Sequence, residues 1–144
     1  MPQFSISQLE TIADRVLQAA GVPASEAAVV AAELSEANAV GHDSHGVMRL
    51  MQYVENIEQG FIKPGTPIEV TRSGVAFTLV DANFNFGQVA ANRALEIGQE
   101  QARAAGTATV MIQNCNHVGR LGAYAQKAAG LGLASVMAVN APGP

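Results

Sequence analysis

The chain has 144 residues, a formal net charge of −4, 49% hydrophobic and 14% charged residues, and one cysteine. That balance, with no Lys/Arg cluster, excludes a surface built to neutralise nucleic-acid phosphates; no apolar run reaches the roughly 20 residues of a membrane span, and the start Met1-Pro2-Gln3-Phe4 lacks the basic and apolar regions of a signal peptide. Lone Cys115 allows no internal disulfide and fits a reducing, cytoplasmic setting, while the low charge predicts apolar surface reserved for another subunit or further chain.

Ser5 with Gln8, or Ser7 with Glu10, stands in capping-box spacing at the start of a first helix. Leu9, Ile12, Ala13, Val16, Leu17 and Ala20 recur at helical spacing along it, and Gly21 with Pro23 ends it. A second helix is predicted from Ser25 to Ala39, stopping at Gly41, and a third from Val47 to Glu58, ending at Gly60. Between these two lies His42-Asp43-Ser44-His45-Gly46, where Asp43 or Ser44 is expected to cap the third helix. Lys63-Pro64-Gly65-Thr66-Pro67 reads as a linker. Strands follow at Ile68–Thr71 and Val75–Val80, then a polar and aromatic corner at Phe84-Asn85-Phe86-Gly87 and a helix from Val89 to Ala105. Thr107 to Ile112 and Leu133 to Val139 read as buried-type strands, with a helix from Leu121 to Ala129 between them. The fold class is α/β (α+β): a helical unit over 1–62, then an α/β unit over 68–144.

Two of the three histidines lie in the 42–46 loop, and the third, His117, sits in Asn114-Cys115-Asn116-His117-Val118-Gly119. Every near-neutral titratable side chain therefore falls in two short loops at helix starts, which points to one shared site. Capping accounts for Asp43 or Ser44 but not for two histidines followed by Arg49, whose guanidinium offers a two-pronged fork to a carboxylate. His117, after a strand and before a helix, is a candidate general acid/base, weighed against a plain turn residue. Cys115 is a candidate nucleophile, weighed against a small buried hydrophobe and ranked below it. His42, Asp43 and His45 lack the His-x-x-x-His spacing of a helical zinc site, so a metal enzyme using His42, His45 and His117 is the weaker alternative. Gly119-Arg120-Leu121-Gly122 is a GxxG, and the GxGxxG dinucleotide fingerprint is absent.

Gly41-His42-Asp43-Ser44-His45-Gly46-Val47 with Arg49 and Tyr53, followed by Asn116-His117-Val118-Gly119 and Asn140-Ala141-Pro142, resembles the malate/L-lactate dehydrogenase family. This non-Rossmann group also includes ureidoglycolate and sulfolactate dehydrogenases and an imino-acid reductase. The resemblance runs from the first helix to the last residue. It implies an oxidoreductase using NAD or NADP on a small 2-hydroxy or 2-oxo acid, a homodimer, and a mixed or largely antiparallel sheet with helices. It further implies that His117 is the acid/base, that Ser44, His45 and Arg49 face the substrate with Arg49 on its carboxylate, and that Asn140 and Ala141 lie at a cofactor-contacting turn. Members of the family are more than twice this length, so the chain is expected to be the front part of such an enzyme, with little turnover alone. The competing expectation is an inactive oligomerisation or binding fragment.

Overall fold

A computed structural model of the chain describes residues 4–140. Three helices open it: α1 (Ile6–Ala19), α2 (Ala24–Ala39) and α3 (Leu50–Glu58). Ser5 and Gln8 form the complete capping box at α1, each side chain bonded to the other's backbone N–H. Such a cap contributes about 1 kcal/mol and fixes where the helix begins. Ala13 and Leu17 on α1 meet Ala27, Val30, Ala31 and Leu34 on α2, all fully buried. Leu50 and Tyr53 of α3, Ile62 and Phe86 complete this core, so a residue from beyond the linker closes the helical unit.

The linker is held rather than free. Gly65 N–H donates to Glu26 in the first turn of α2, and the Asn85 amide donates to the other oxygen of the same carboxylate.

The sheet contains β1 (Glu69–Ser73), β2 (Phe77–Asp81) and β3 (Thr109–Gln113) in the order β1-β2-β3. β1 and β2 run antiparallel, with a register irregularity between Val70 and Arg72, and β2 and β3 run parallel. The parallel pair is joined by α4 (Gly87–Ala105), as strands pointing the same way require a crossover. α4 buries Ala90, Ala94 and Ile97 and ends at Gly106, whose positive φ of 81° gives a left-handed cap. α5 (Leu121–Gly130) packs on α4 and is tied to α2 by charge: Lys127 pairs with Glu33, and Arg120 with Glu36 at 2.8 Å.

The α/β class is therefore observed, and the sheet is mixed. Two sequence expectations fail. The third helix does not start at Val47: Asp43–His45 and Val47–Arg49 are 3₁₀ turns, separated by Gly46 in an extended conformation, and α-helix begins only at Leu50. The run Leu133–Val139 is not a strand, and Val136 is fully exposed. β-branched composition suits a pleated surface, but a strand exists only where a neighbour accepts its ladder, and this run has none among the described residues.

Candidate active site

Each histidine loop is positioned by an asparagine. In the first, the Asn38 amide at the end of α2 donates to Asp43 at 2.6 Å, and its carbonyl oxygen accepts Val47 N–H at 2.9 Å. Neither Asp43 nor Ser44 caps α3, which has no side-chain cap; Asn38 instead holds the 3₁₀ turn before it, from outside the loop. It lies so close over Gly46 that a Cβ there would overlap its side chain.

In the second loop, Asn114 takes a left-handed φ of 49°, a conformation asparagine tolerates better than most residues. The Asn116 amide then reaches the carbonyls of Phe61, Phe84 and Asn85 at 3.0, 2.7 and 3.1 Å. This stitches the loop to the end of the helical unit, just before the linker, and to the corner before α4. Gly87, the first residue of α4, is packed so tightly under the loop that a Cβ would overlap the carbonyls of Asn116 and His117.

These clamps bring the two loops together. The His45 and His117 rings lie 5.3 Å apart at a 33° tilt, and His42 meets His45 edge-on at 4.5 Å. Ser44 Oγ is 3.0 Å from Nδ1 of His45. Arg49 is drawn back over the same loop, its Nε donating to the Ser44 carbonyl at 2.7 Å and one terminal nitrogen to Gln52 at 2.8 Å. Its other terminal nitrogen makes no hydrogen bond among the described residues. Behind His117, Nδ1 is 2.8 Å from the hydroxyl of buried Tyr53, which accepts the Gln88 amide at 2.7 Å.

The electrostatics favour uncharged rings. Burial, the Arg49 charge and His45 hold His117 below the ordinary imidazole value, and burial, His42 and Arg49 do the same to His45. Burial pushes Tyr53 up to about 12, so its hydroxyl keeps its proton throughout the working range. His117 is nonetheless exposed on its outer side. A neutral imidazole anchored from behind, open in front and flanked by a cation can exchange a proton with an anionic small molecule.

Of the expected site residues, Ser44, His45, Arg49 and His117 converge. Asn140 is exposed in the segment after α5, and Ala141 lies outside the described residues. Cys115 is partly buried, donates to the Asn116 carbonyl at 3.3 Å, and has its thiol pushed up to about 11 by burial, which suits the small hydrophobe rather than the nucleophile. Among the described residues no group of three or more His, Cys, Asp or Glu could hold a metal ion. None of the described helices is long and apolar enough to cross a membrane. Sequence reading did not single out Asn38 or Gln88. Gln88 left one usable signal: a polar residue ahead of the inward-facing Ala90 and Ala94.

A family model described as malate/L-lactate dehydrogenase matches residues 4–144. The chain is 33% identical to hydroxycarboxylate dehydrogenase B of Escherichia coli (strain K12), over 98% of this chain and 39% of the relative. It is 38% identical to malate dehydrogenase of Pyrococcus abyssi, over 88% of this chain and 35% of the relative. Among solved structures, malate dehydrogenase from Pyrococcus horikoshii OT3 superposes with a TM-score of 0.88 at 35% identity, covering 91% of this chain and 38% of that one. The chain thus spans about two fifths of the length of the relatives it matches.

Proposed function

Because the chain belongs to the malate/L-lactate dehydrogenase family, we propose that it carries the proton-transfer and carboxylate-binding side of an oxidoreductase acting on a small 2-hydroxy or 2-oxo acid. The observation that carries this reading is the convergence of His117, His45 and Arg49 from two loops distant in sequence, with His117 anchored at Nδ1 and the residue still exposed overall. The proposed cofactor is NAD or NADP, which when bound accepts or supplies the hydride. The residues present fit the reacting end of such a pair: an exposed imidazole faces outward, and Arg49 keeps donors unengaged among the described residues.

In the oxidative direction, His117 Nε2 takes the hydroxyl proton as the carbon gives up its hydride and the carbonyl forms. In the reductive direction, the same nitrogen returns a proton to the carbonyl oxygen. Arg49 binds the substrate carboxylate, and its charge also keeps His117 neutral and ready to act as base. Ser44 and His45 line the substrate side, Ser44 Oγ fixing the His45 ring through Nδ1. Asn140 and Ala141 are the proposed cofactor contacts. We assign 1–62 as the helical unit and 68–144 as the cofactor-side α/β unit. A homodimer in the cytoplasm belongs to the same proposal, supported by Met48 and Met51, which leave apolar surface exposed beside the site.

The test is loss of reduced-nicotinamide absorbance on adding pyruvate, oxaloacetate or 3-sulfopyruvate to purified protein, beside His117→Ala. Turnover, small for the chain alone, is expected to fall roughly 10²–10⁴-fold in the variant. Turnover that survives the substitution overturns the assignment of His117.

A further inference from the structure

Gln88 is a fully buried polar side chain. Its amide nitrogen donates to Tyr53 at 2.7 Å, while its amide oxygen, equally buried, has no partner among the described residues. A buried amide oxygen without a donor is a costly thing to keep, and it lies two hydrogen bonds from the proposed acid/base.

Proton counting gives it a use. The Tyr53 hydroxyl has one proton and two lone pairs. As Gln88 donates to it, the hydroxyl's own proton is left for His117 Nδ1, its other partner at 2.8 Å. A neutral His117 then carries its proton on Nε2 and has no lone pair there to take a proton from a hydroxy acid. Turning the Gln88 carboxamide over reverses the chain: Oε1 accepts the Tyr53 O–H, Tyr53 accepts Nδ1–H, and Nε2 is left bare. The same reversed chain also serves the imidazolium, whose Nδ1–H must likewise donate to Tyr53. With its pKa at about 12, Tyr53 keeps its proton and relays these bonds without ionising.

We propose that the Gln88 carboxamide, acting through the Tyr53 hydroxyl, sets which ring nitrogen of His117 carries the proton, and therefore whether Nε2 meets the substrate as a base. This rests on the acid/base reading of His117 given above. Gln88 is a positioning residue that never touches the substrate, and its unpartnered oxygen is the acceptor held ready for the working tautomer.

The experiment is ¹⁵N NMR of histidine-labelled protein at a pH where His117 is neutral, comparing wild type, Gln88→Met, Tyr53→Phe and the double variant. Nδ1 and Nε2 shifts read the tautomer ratio directly and require no turnover. Gln88→Met is expected to change that ratio roughly fivefold or more, and to have no further effect once Tyr53 is Phe. In reduction of an active 2-oxo acid, kcat is expected to fall in Gln88→Met while KM holds. An unchanged tautomer ratio in folded Gln88→Met overturns the inference, whatever Tyr53→Phe does. Turnover of an active 2-oxo acid that is unchanged in His117→Ala overturns the functional reading instead and leaves the NMR result standing. Gln88→Leu, a second apolar replacement, keeps the inference testable if Gln88→Met does not fold.

Discussion

The Tyr53 hydroxyl lies 2.8 Å from His117 Nδ1, although 64 residues separate them along the chain. Tyr53 is 2% exposed and belongs to the helical core, whereas His117 sits in a loop after β3. The bond therefore joins the packing of one unit to the chemistry of the other. Tyr53→Phe keeps the ring in the core and removes this link together with the bond from the buried Gln88 amide. The expected result is a lowered melting temperature, from the unpaired Gln88 donor, with kcat lowered roughly tenfold, about 1.4 kcal/mol in the barrier, measured by steady-state kinetics beside thermal unfolding.

Arg49 has two effects that one substitution separates. Arg49→Gln removes the substrate-side cation, so KM for a 2-oxo acid should rise, and it removes one of the causes that hold His117 and His45 down. Both imidazoles should then titrate at higher pH, and the limb of the oxidative pH–rate profile should move up with them. Because the folded rings titrate below 6.5, the ordinary value, the unfolded chain binds protons first as pH falls. Their contribution to stability is complete above that value and is lost on acidification through the folded values. Arg49→Gln should shrink this acid loss. Histidine NMR titration and unfolding between about pH 5 and 8 check both.

Asn116 holds the His117 loop through a single amide shared among three carbonyls. Asn116→Ala should cost about 1 kcal/mol or more of stability, since three hydrogen bonds are lost, one of them to the carbonyl of fully buried Asn85. Activity should fall further than that loss explains, because His117 would no longer be aimed. Urea unfolding paired with kcat on folded protein separates the two effects.

Asn38 plays the matching part in the first loop, bonding Asp43 at 2.6 Å and Val47 N–H at 2.9 Å. Asn38→Ala should loosen residues 42–47 while leaving α1 and α2 packed. Amide hydrogen exchange should rise at Val47 and its neighbours and stay unchanged at Leu17 and Leu34. Equal exchange at all of these would show that the loop holds without Asn38.

Cys115 is expected to be inert. With its thiol pushed up to about 11, almost no thiolate exists near neutral pH. Cys115→Ala should retain turnover, and alkylation of the native protein by iodoacetamide at pH 8 should be far slower than alkylation of the unfolded chain.

Local signals in the sequence were enough to locate most of the elements. Two capping-box spacings, Ser5/Gln8 and Ser7/Glu10, bracketed the start of α1, with the first observed, and helical spacing marked Ala13 and Leu17 as inward positions. The grouping of His42, His45 and His117 in two loops, with Arg49 beside the first, was equally visible, because titratable residues at helix starts stand out against an alanine-rich chain. Pairing decided the rest. Whether Leu133–Val139 became a strand depended on a neighbour that composition does not encode, and the 3₁₀ turn at Val47–Arg49 is held by an asparagine reaching from α2. Gln88, Tyr53 and His117 have no spacing in common. Their hydrogen-bonded line exists because Phe86 closes the helical core and carries the start of α4, with Gln88, up against Tyr53. Sequence determined which chemistry was present; long-range packing decided which groups could share a proton, because a hydrogen bond needs partners within about 3 Å and nothing in local propensity sets that distance.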